Sequence, residues 1–282
     1  MTPQDYDYLR HFLKERSGLD LAADKQYLVE NRLAPLARRA ELAGISELVE
    51  RIKTRPDSLA TELVEAMTIN ETFFFRDKAP FDELCDTIVP TLIKGRAQHK
   101  ALRVWCAAGS TGQESYSIAM CFKEMAAQLA GWRIEILATD LSQGVLEKAK
   151  AGIYTQFEVQ RGLPIQMLMK YFKQIGDLWQ INPEIRAMVQ HRQLNLLQSF
   201  AHLGTFDVIF CRNVLIYFDQ PTKRKLFTAL SKAIEPDGVL VLGAAETVIG
   251  LSDAFRPWPD HRGLYRPAPA TQSTAAVATT PI

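Results

Sequence analysis

From residue 101 onward, short apolar runs of strand length alternate with longer runs of helical period. That alternation restricts the chain more than any other feature. ALRVWCAAG, RIEILATD, FDVIFCRN and GVLVLGA read as buried strands, and SIAMCFKEMAAQLA, LSQGVLEKAKAG and TKRKLFTALSKAI as the helices between them. Strands that alternate with helices imply a parallel sheet in an α/β fold. FRPWPDHRGLYRP is expected to close the sheet as a hairpin.

One stretch breaks the rhythm. Between Gly152 and Leu197 a helix-like LPIQMLMKYF precedes two strand-like pieces, GDLWQI and AMVQHRQL. A small antiparallel β-subdomain, inserted at about 153–193, accounts for them most simply.

The first third is helical in character. Tyr8, Leu9, Phe12 and Leu13 recur at helical spacing, with Gly18 as a stop. Lys25 to Ala43 forms a second helix, in which Pro35 removes a hydrogen bond and predicts a kink or a break. Ser46 to Lys53 and Leu59 to Met67 follow. The expected division is a helical domain at 1–67, a linker at 68–80, an α/β domain at 81–266 and a disordered tail at 267–282, which lacks apolar periodicity. In the linker, TINETFFFRDKAP, the three phenylalanines cannot share one face of a helix or strand. They are expected to wedge between the domains. Pro80 then opens a helix from Phe81 to Ile93.

Composition narrows the function classes. A net charge of +1 leaves no bulk electrostatic footprint for nucleic acid. The four cysteines form no C-x-x-C pair, and buried reduced thiols fit them better than a disulfide or a metal site. The polar N-terminus is no signal peptide, and no apolar run spans a membrane, so a cytoplasmic protein without direct membrane insertion is expected.

Ligands in open α/β sheets bind beyond the carboxyl ends of the strands. The first such block is Ala107-Ala108-Gly109-Ser110-Thr111-Gly112-Gln113-Glu114. Its small residues admit a ligand close to the backbone, although structural turns use the same pattern. It lacks the glycine and lysine spacing of phosphate loops and carries an acid, Glu114. A carboxylate repels pyrophosphate and suits a cationic amine, which favours S-adenosylmethionine over a dinucleotide. The second strand ends at Asp140, placed either to accept two ribose hydroxyls or to cap the next helix. The third runs into Arg212-Asn213-Val214-Leu215-Ile216-Tyr217-Phe218, and Asn213 falls where substrate and cofactor should meet.

Six segments, in this order, resemble the chemotaxis receptor methyltransferase (CheR) family: TINETFFFRD (68–77), RVWCAAGSTGQESYSIAM (103–120), ATDLS (138–142), LNLL (194–197), FDVIFCRNVLIYF (206–218) and PDGVLVLG (236–243). The resemblance extends from the helical region to about residue 266. It implies a class I, Rossmann-like methyltransferase with an N-terminal all-helical domain and a small β-subdomain. It also implies a cofactor, S-adenosylmethionine, leaving as S-adenosylhomocysteine. By the same resemblance Asn70, Thr72 and Arg76 contact the cofactor from the linker, and Glu114 and Asp140 hold its methionyl and ribose parts. Asn195, Leu196, Asn213 and Val214 line the adenine and the approach to the methyl group. Residue character alone reads Asn195 as a turn residue and Thr72 as a helix cap.

The implied substrate is a glutamate side chain on a chemoreceptor's cytoplasmic helices. A glutamate with a pKa of about 4.3 is already ionised at neutral pH and needs no general base. The positioning roles fall to Arg76, as a carboxylate anchor, and to Tyr217, which orients the incoming oxygen. The competing readings of these two are a linker salt bridge and a half-buried core tyrosine. Arg32, Arg38 and Arg39 lie along one helix that can dock an acidic receptor helix or form an ordinary solvated face. Some family members grip a receptor's C-terminal peptide with the β-subdomain. The short Ile175-Gly176-Asp177 turn, with Trp179 over the sheet edge, predicts that this monomer works without that tether. A different carboxylate acceptor and a cofactor-binding signalling module remain the competing functions.

Overall fold

A computed structural model describes residues 1–55 and 57–269. Helix α1 (Pro3–Ser17) starts at a capping box, in which Thr2 Oγ1 accepts from Asp5 N at 3.1 Å and Asp5 Oδ2 accepts from Thr2 N at 3.0 Å. It stops at Gly18, whose φ of 80° is open to glycine. A Cβ there would also meet the Phe218 ring at 2.8 Å. Helices α2 (Gln26–Arg39), α3 (Ile45–Thr54) and α4 (Ser58–Met67) complete the bundle. Leu9, Leu13, Val29, Leu33, Leu48 and Leu63 fill its core. The helix is not divided at Pro35: α2 passes it as one element and ends before Leu42. Pro35 is exposed, so the carbonyl it leaves without an N–H partner is open to water.

Pro80 sits at the start of α5 (Ala79–Glu83), as expected. A π-turn at Leu84–Ile88 then leads into α6 (Val89–Gly95). Pro90 explains the widening: it has no N–H and would clash with the carbonyl four residues back, so Val89 N bonds to Leu84 O instead.

The α/β body contains β1 (Ala101–Cys106), α7 (Gln113–Glu124), β2 (Arg133–Asp140) and α8 (Gln143–Ala151). After these come β3 (Ile153–Thr155), α9 (Gln156–Gln160), α10 (Ile165–Tyr171), β4 (Phe172–Ile175), β5 (Leu178–Ile181), α11 (Pro183–Arg186) and β6 (Val189–Gln193). It ends with β7 (Phe206–Cys211), α12 (Gln220–Leu230), β8 (Ile234–Leu242), β9 (Phe255–Pro257) and β10 (Leu264–Pro267). The main sheet has the order β6-β2-β1-β7-β8-β10-β9. Its first five strands are parallel, and β9 and β10 form the expected closing hairpin. Alternate residues of β1 face opposite layers: Val104 and Cys106 join one core, Trp105 the other. The sequence progresses outward from β1 through β2 to β6, then restarts at β7 on β1's other side. This reversal opens a crevice beyond the carboxyl ends of β1 and β7.

Four expectations need correction. AMVQHRQL does not belong to an antiparallel insertion: β6 pairs in parallel with β2, Ile136 opposite Val189 through Asp140 opposite Gln193. Val189 is buried against the main core, a long-range gain invisible to local patterning. The small sheet is β3-β5-β4, so Trp179 lies on its central strand and does not cover an edge. The phenylalanine run does not wedge between domains. Phe74 packs edge-on against Tyr154 and Phe172 of the small sheet, and Phe75 against Phe81. Phe74 is buried in the α/β core and Phe75 packs against it. Finally, the expected tail begins too early, since Pro267 pairs with Phe255. Its remainder from residue 270 lies outside the described residues.

Among the described residues, no helix is long and apolar enough to cross a membrane.

Candidate active site

The crevice at the strand ends holds a cleft of about 960 Å³, counting its open mouth. All ten residues singled out from the sequence line it: Asn70, Thr72, Arg76, Glu114, Asp140, Asn195, Leu196, Asn213, Val214 and Tyr217. They come from five separate stretches of chain: the linker, the end of β2 and the segments after β1, β6 and β7. Ser17 and Leu19 of the helical bundle form part of the wall. The bundle is held there by Asn195 Nδ2 donating to Arg16 O at 2.6 Å, by Asp20 N donating to Tyr217 O at 2.9 Å, and by a Lys14–Asp219 ion pair at 2.8 Å.

The loop after β1 is built for close approach. Gly109 packs so tightly on β2 that a Cβ would lie 3.1 Å from Ala138 Cβ. Gly112 adopts φ 97° before α7, and Ser110 is held at φ 48°. Ser110 N donates to Asp140 Oδ2 at 2.9 Å, and its Oγ donates to Asn70 O at 2.8 Å. This serine therefore joins the strand-end loop to the linker.

Asp140 is not the helix cap. Ser142 caps α8, accepting from Val145 N, while Asp140 Oδ1 accepts from Ser142 N at 3.0 Å. Each Asp140 oxygen thus accepts one backbone N–H. A carboxylate has about four lone-pair sites, so two are left for further donors. Burial pushes the Asp140 carboxyl above the usual range, against the pull of the Ser142 and Ser110 bonds.

Glu114 stands in the first turn of α7, but it is not a free anion. Arg212 Nη1 donates to Glu114 Oε2 at 2.9 Å. Burial raises the Glu114 carboxyl above its ordinary value, with Arg212 pulling against it. Arg212 Nη2 donates to Asp77 Oδ2 at 2.8 Å and to Arg76 O at 2.9 Å. Sequence reasoning missed Arg212. The available signal was a charged residue directly after the four-residue apolar run VIFC at the end of the strand: such a group is buried and must be paired.

In the linker, Arg76 Nη1 donates to Glu71 O at 2.6 Å, and the guanidinium stands 5.6 Å from the Phe73 ring centre. No helix begins at Thr72, so it is not a cap. Asn195 is a turn residue as well as a lining residue, with Oδ1 accepting from Leu197 N at 3.0 Å. Arg32 donates to the carbonyls of Met67 and Thr68, where the linker leaves α4, so it is not free on a docking face. Arg38 and Arg39 are exposed.

After β7 the chain turns at Asn213, with φ 58°, into a 3-10 turn at Leu215–Tyr217. Glu246, also missed, accepts the backbone N–H groups of this segment. Tyr217 is half-buried, and burial raises its phenol above the ordinary value. Leu141, Leu194, Leu196 and Val214 supply apolar wall. Among the described residues, neither histidine nor cysteine lines the cleft. The arrangement suits binding and alignment more than proton transfer.

Comparison with known proteins gives two family matches in chain order. Residues 4–68 match the CheR methyltransferase all-alpha domain, and residues 70–263 match the CheR methyltransferase SAM binding domain. The chain is 42% identical over 256 residues to chemotaxis protein methyltransferase 1 of Pseudomonas aeruginosa, covering 89% of this chain and 93% of that one. It is 40% identical to chemotaxis protein methyltransferase Cher2 of Pseudomonas putida, with 89% and 93% covered. Against the chemotaxis protein methyltransferase of Vibrio parahaemolyticus the identity is 38%, with 90% and 93% covered.

Proposed function

We infer the reaction from one premise: this chain belongs to the CheR methyltransferase family, whose two domains it matches in order. It is an S-adenosylmethionine-dependent methyltransferase of class I, Rossmann-like fold. On our reading it esterifies glutamate side chains on the cytoplasmic helices of methyl-accepting chemotaxis receptors. It acts as a cytoplasmic monomer.

One observation supports this most directly. The linker and four strand-end segments converge on a single cleft that holds two buried carboxylates beside apolar walls. That donor set fits the cofactor. Asp140 has two lone-pair sites left for ribose hydroxyls. Leu141, Leu196 and Val214 suit a purine, and Glu114, Asn70 and Thr72, which line the same cleft, suit the methionyl end. When bound, S-adenosylmethionine supplies an electrophilic methyl group on a sulfonium.

The protein's own part is alignment and exclusion of water. The acceptor carboxylate arrives ionised, so no side chain need remove a proton. Charge is neutralised as the ester forms, and water favours the separated ions. A cleft walled in part by Ser17 and Leu19 therefore assists by displacing water. Arg76 anchors a carboxylate and Tyr217 directs the incoming oxygen. Both line the same cleft.

We further propose that docking is independent of a receptor C-terminal peptide. The β4–β5 connection is the two-residue turn Gly176-Asp177, with Ile175 opposite Leu178, and offers no extended loop.

Incubation with methyl-labelled S-adenosylmethionine and receptor cytoplasmic fragments tests the reaction. Base-labile label on receptor glutamates is the expected result. Label on a small carboxylic acid alone would replace the receptor by that acceptor, and no transfer at all would leave a binding module.

A further inference from the structure

The segment that carries Asn213, Val214 and Tyr217 has a structural problem of its own. Strand β7 ends at Cys211, and the backbone turns through a left-handed residue into a 3-10 turn. The first N–H groups of such a turn have no partner within it. Asn213 N, Val214 N and Leu215 N would be left without acceptors in a largely buried place.

Glu246, in the loop after β8, supplies all of them. Its Oε2 accepts from Asn213 N at 2.8 Å and from Gly243 N at 2.7 Å. Its Oε1 accepts from Val214 N at 2.9 Å and from Leu215 N at 2.7 Å. The side chain is buried, and its charge is met by these four backbone donors. The surroundings are shaped to it. A Cβ on Gly243 would stand 2.7 Å from Glu246 Oε2 and 3.0 Å from Asn213 N. Glu246 is not among the residues that line the cleft, so it acts only through the backbone it holds.

We propose that Glu246 is a positioning residue for methyl transfer: its carboxylate fixes Asn213 and the turn bearing Tyr217 in the conformation that the cleft requires. This rests on the reading of the cleft given above. The carboxylate is suited to the role because only an acceptor-only group can serve four donors. Glutamine can serve one pair and presents an NH₂ to the other. Aspartate is one methylene shorter and cannot span both pairs. A turn held before the ligands arrive costs no ordering when they bind.

The test uses the full chain with Glu246→Gln and Glu246→Asp. Wild-type transfer to receptor fragments is measured first, and its absence would count against the reaction and not against Glu246. With wild type active, Glu246→Gln should lower kcat/KM by about tenfold or more, since a charged hydrogen bond is worth about 1.5–3 kcal/mol. A loss shared between KM for S-adenosylmethionine and kcat is expected, because Asn213 and Tyr217 serve both. The cycle with Asn213→Gly separates positioning from general weakening. Glycine adopts the left-handed conformation freely, so the Glu246→Gln effect should be clearly non-additive there. Additive losses, or kcat/KM within twofold of wild type, would overturn the proposal. If the variants do not fold, amide exchange in cofactor-free wild type decides. Protected amides at Asn213, Val214 and Leu215 support a held turn; exchange at open-loop rates overturns it.

Discussion

The Arg212 guanidinium and the Glu114 carboxylate meet at 2.9 Å in the floor of the cleft, with the arginine side chain only 1% exposed. The same guanidinium holds Asp77 and the Arg76 carbonyl, so one buried cation ties α7 to the linker. The order of the cleft therefore depends on a charge network in which the partners lie 98 residues or more from Arg212 in sequence.

Removing the cation should be costly. Arg212→Met leaves Glu114 buried and unpaired, and is expected to destabilise the protein by about 3–5 kcal/mol. Adding Glu114→Gln should recover part of that loss, because the glutamine carries no charge to strand. Urea unfolding of the two variants checks both. Equal stabilities of wild type and Arg212→Met would show that the pair holds nothing.

Asp140→Ala should weaken S-adenosylhomocysteine binding by about 1.5–3 kcal/mol, the range for hydrogen bonds to a charged group. Helix α8 keeps its own cap at Ser142, so the variant should still fold. Titration calorimetry measures it. Unchanged affinity in a folded variant would remove Asp140 from the ribose.

Asp140 also sets a pH dependence. Burial raises its carboxyl in the folded state above the ordinary 3.8. Its stability contribution is then fullest below that value and is lost as pH rises through the raised one. Asp140→Asn escapes this loss. The melting temperature of the variant relative to wild type should rise between about pH 4 and neutrality. A flat difference would mean that desolvation is offset by the bonds from Ser110 and Ser142.

Arg76→Ala should lower kcat more than it weakens cofactor binding, if the guanidinium positions reacting groups. Steady-state kinetics beside calorimetry separates the two. Equal losses would make Arg76 a binding residue only, and wild-type turnover would remove it from the site.

Receptor docking is expected to need no C-terminal tether. Calorimetry with a receptor C-terminal pentapeptide should show no binding, and receptors lacking that tail should be methylated equally well. Trp179 lies on the central strand of the small sheet, and β4 stands at its edge. A saturable micromolar isotherm would show that this edge takes the peptide despite the short turn.

Much of this protein is legible in its sequence, because much of it follows from neighbours along the chain. The capping box at Thr2, the stop at Gly18, the strand β1 and the small-residue loop at Gly109 are local choices of backbone. They appear as residue types at short fixed spacings. The ten cleft residues could be named for the same reason: each sits in a short segment whose pattern resembles one family. What the tertiary structure decided is where distant segments meet. Whether VQHRQ joins the small sheet or the large one depends on burial of Val189 beside Ile136, and not on its alternation. Phe74 chooses the α/β core because Tyr154 and Phe172 are there to receive it. The roles of Arg212 and Glu246 exist only once the fold places buried partners around them, since a charge has no assignment until its desolvation and its hydrogen bonds are set together.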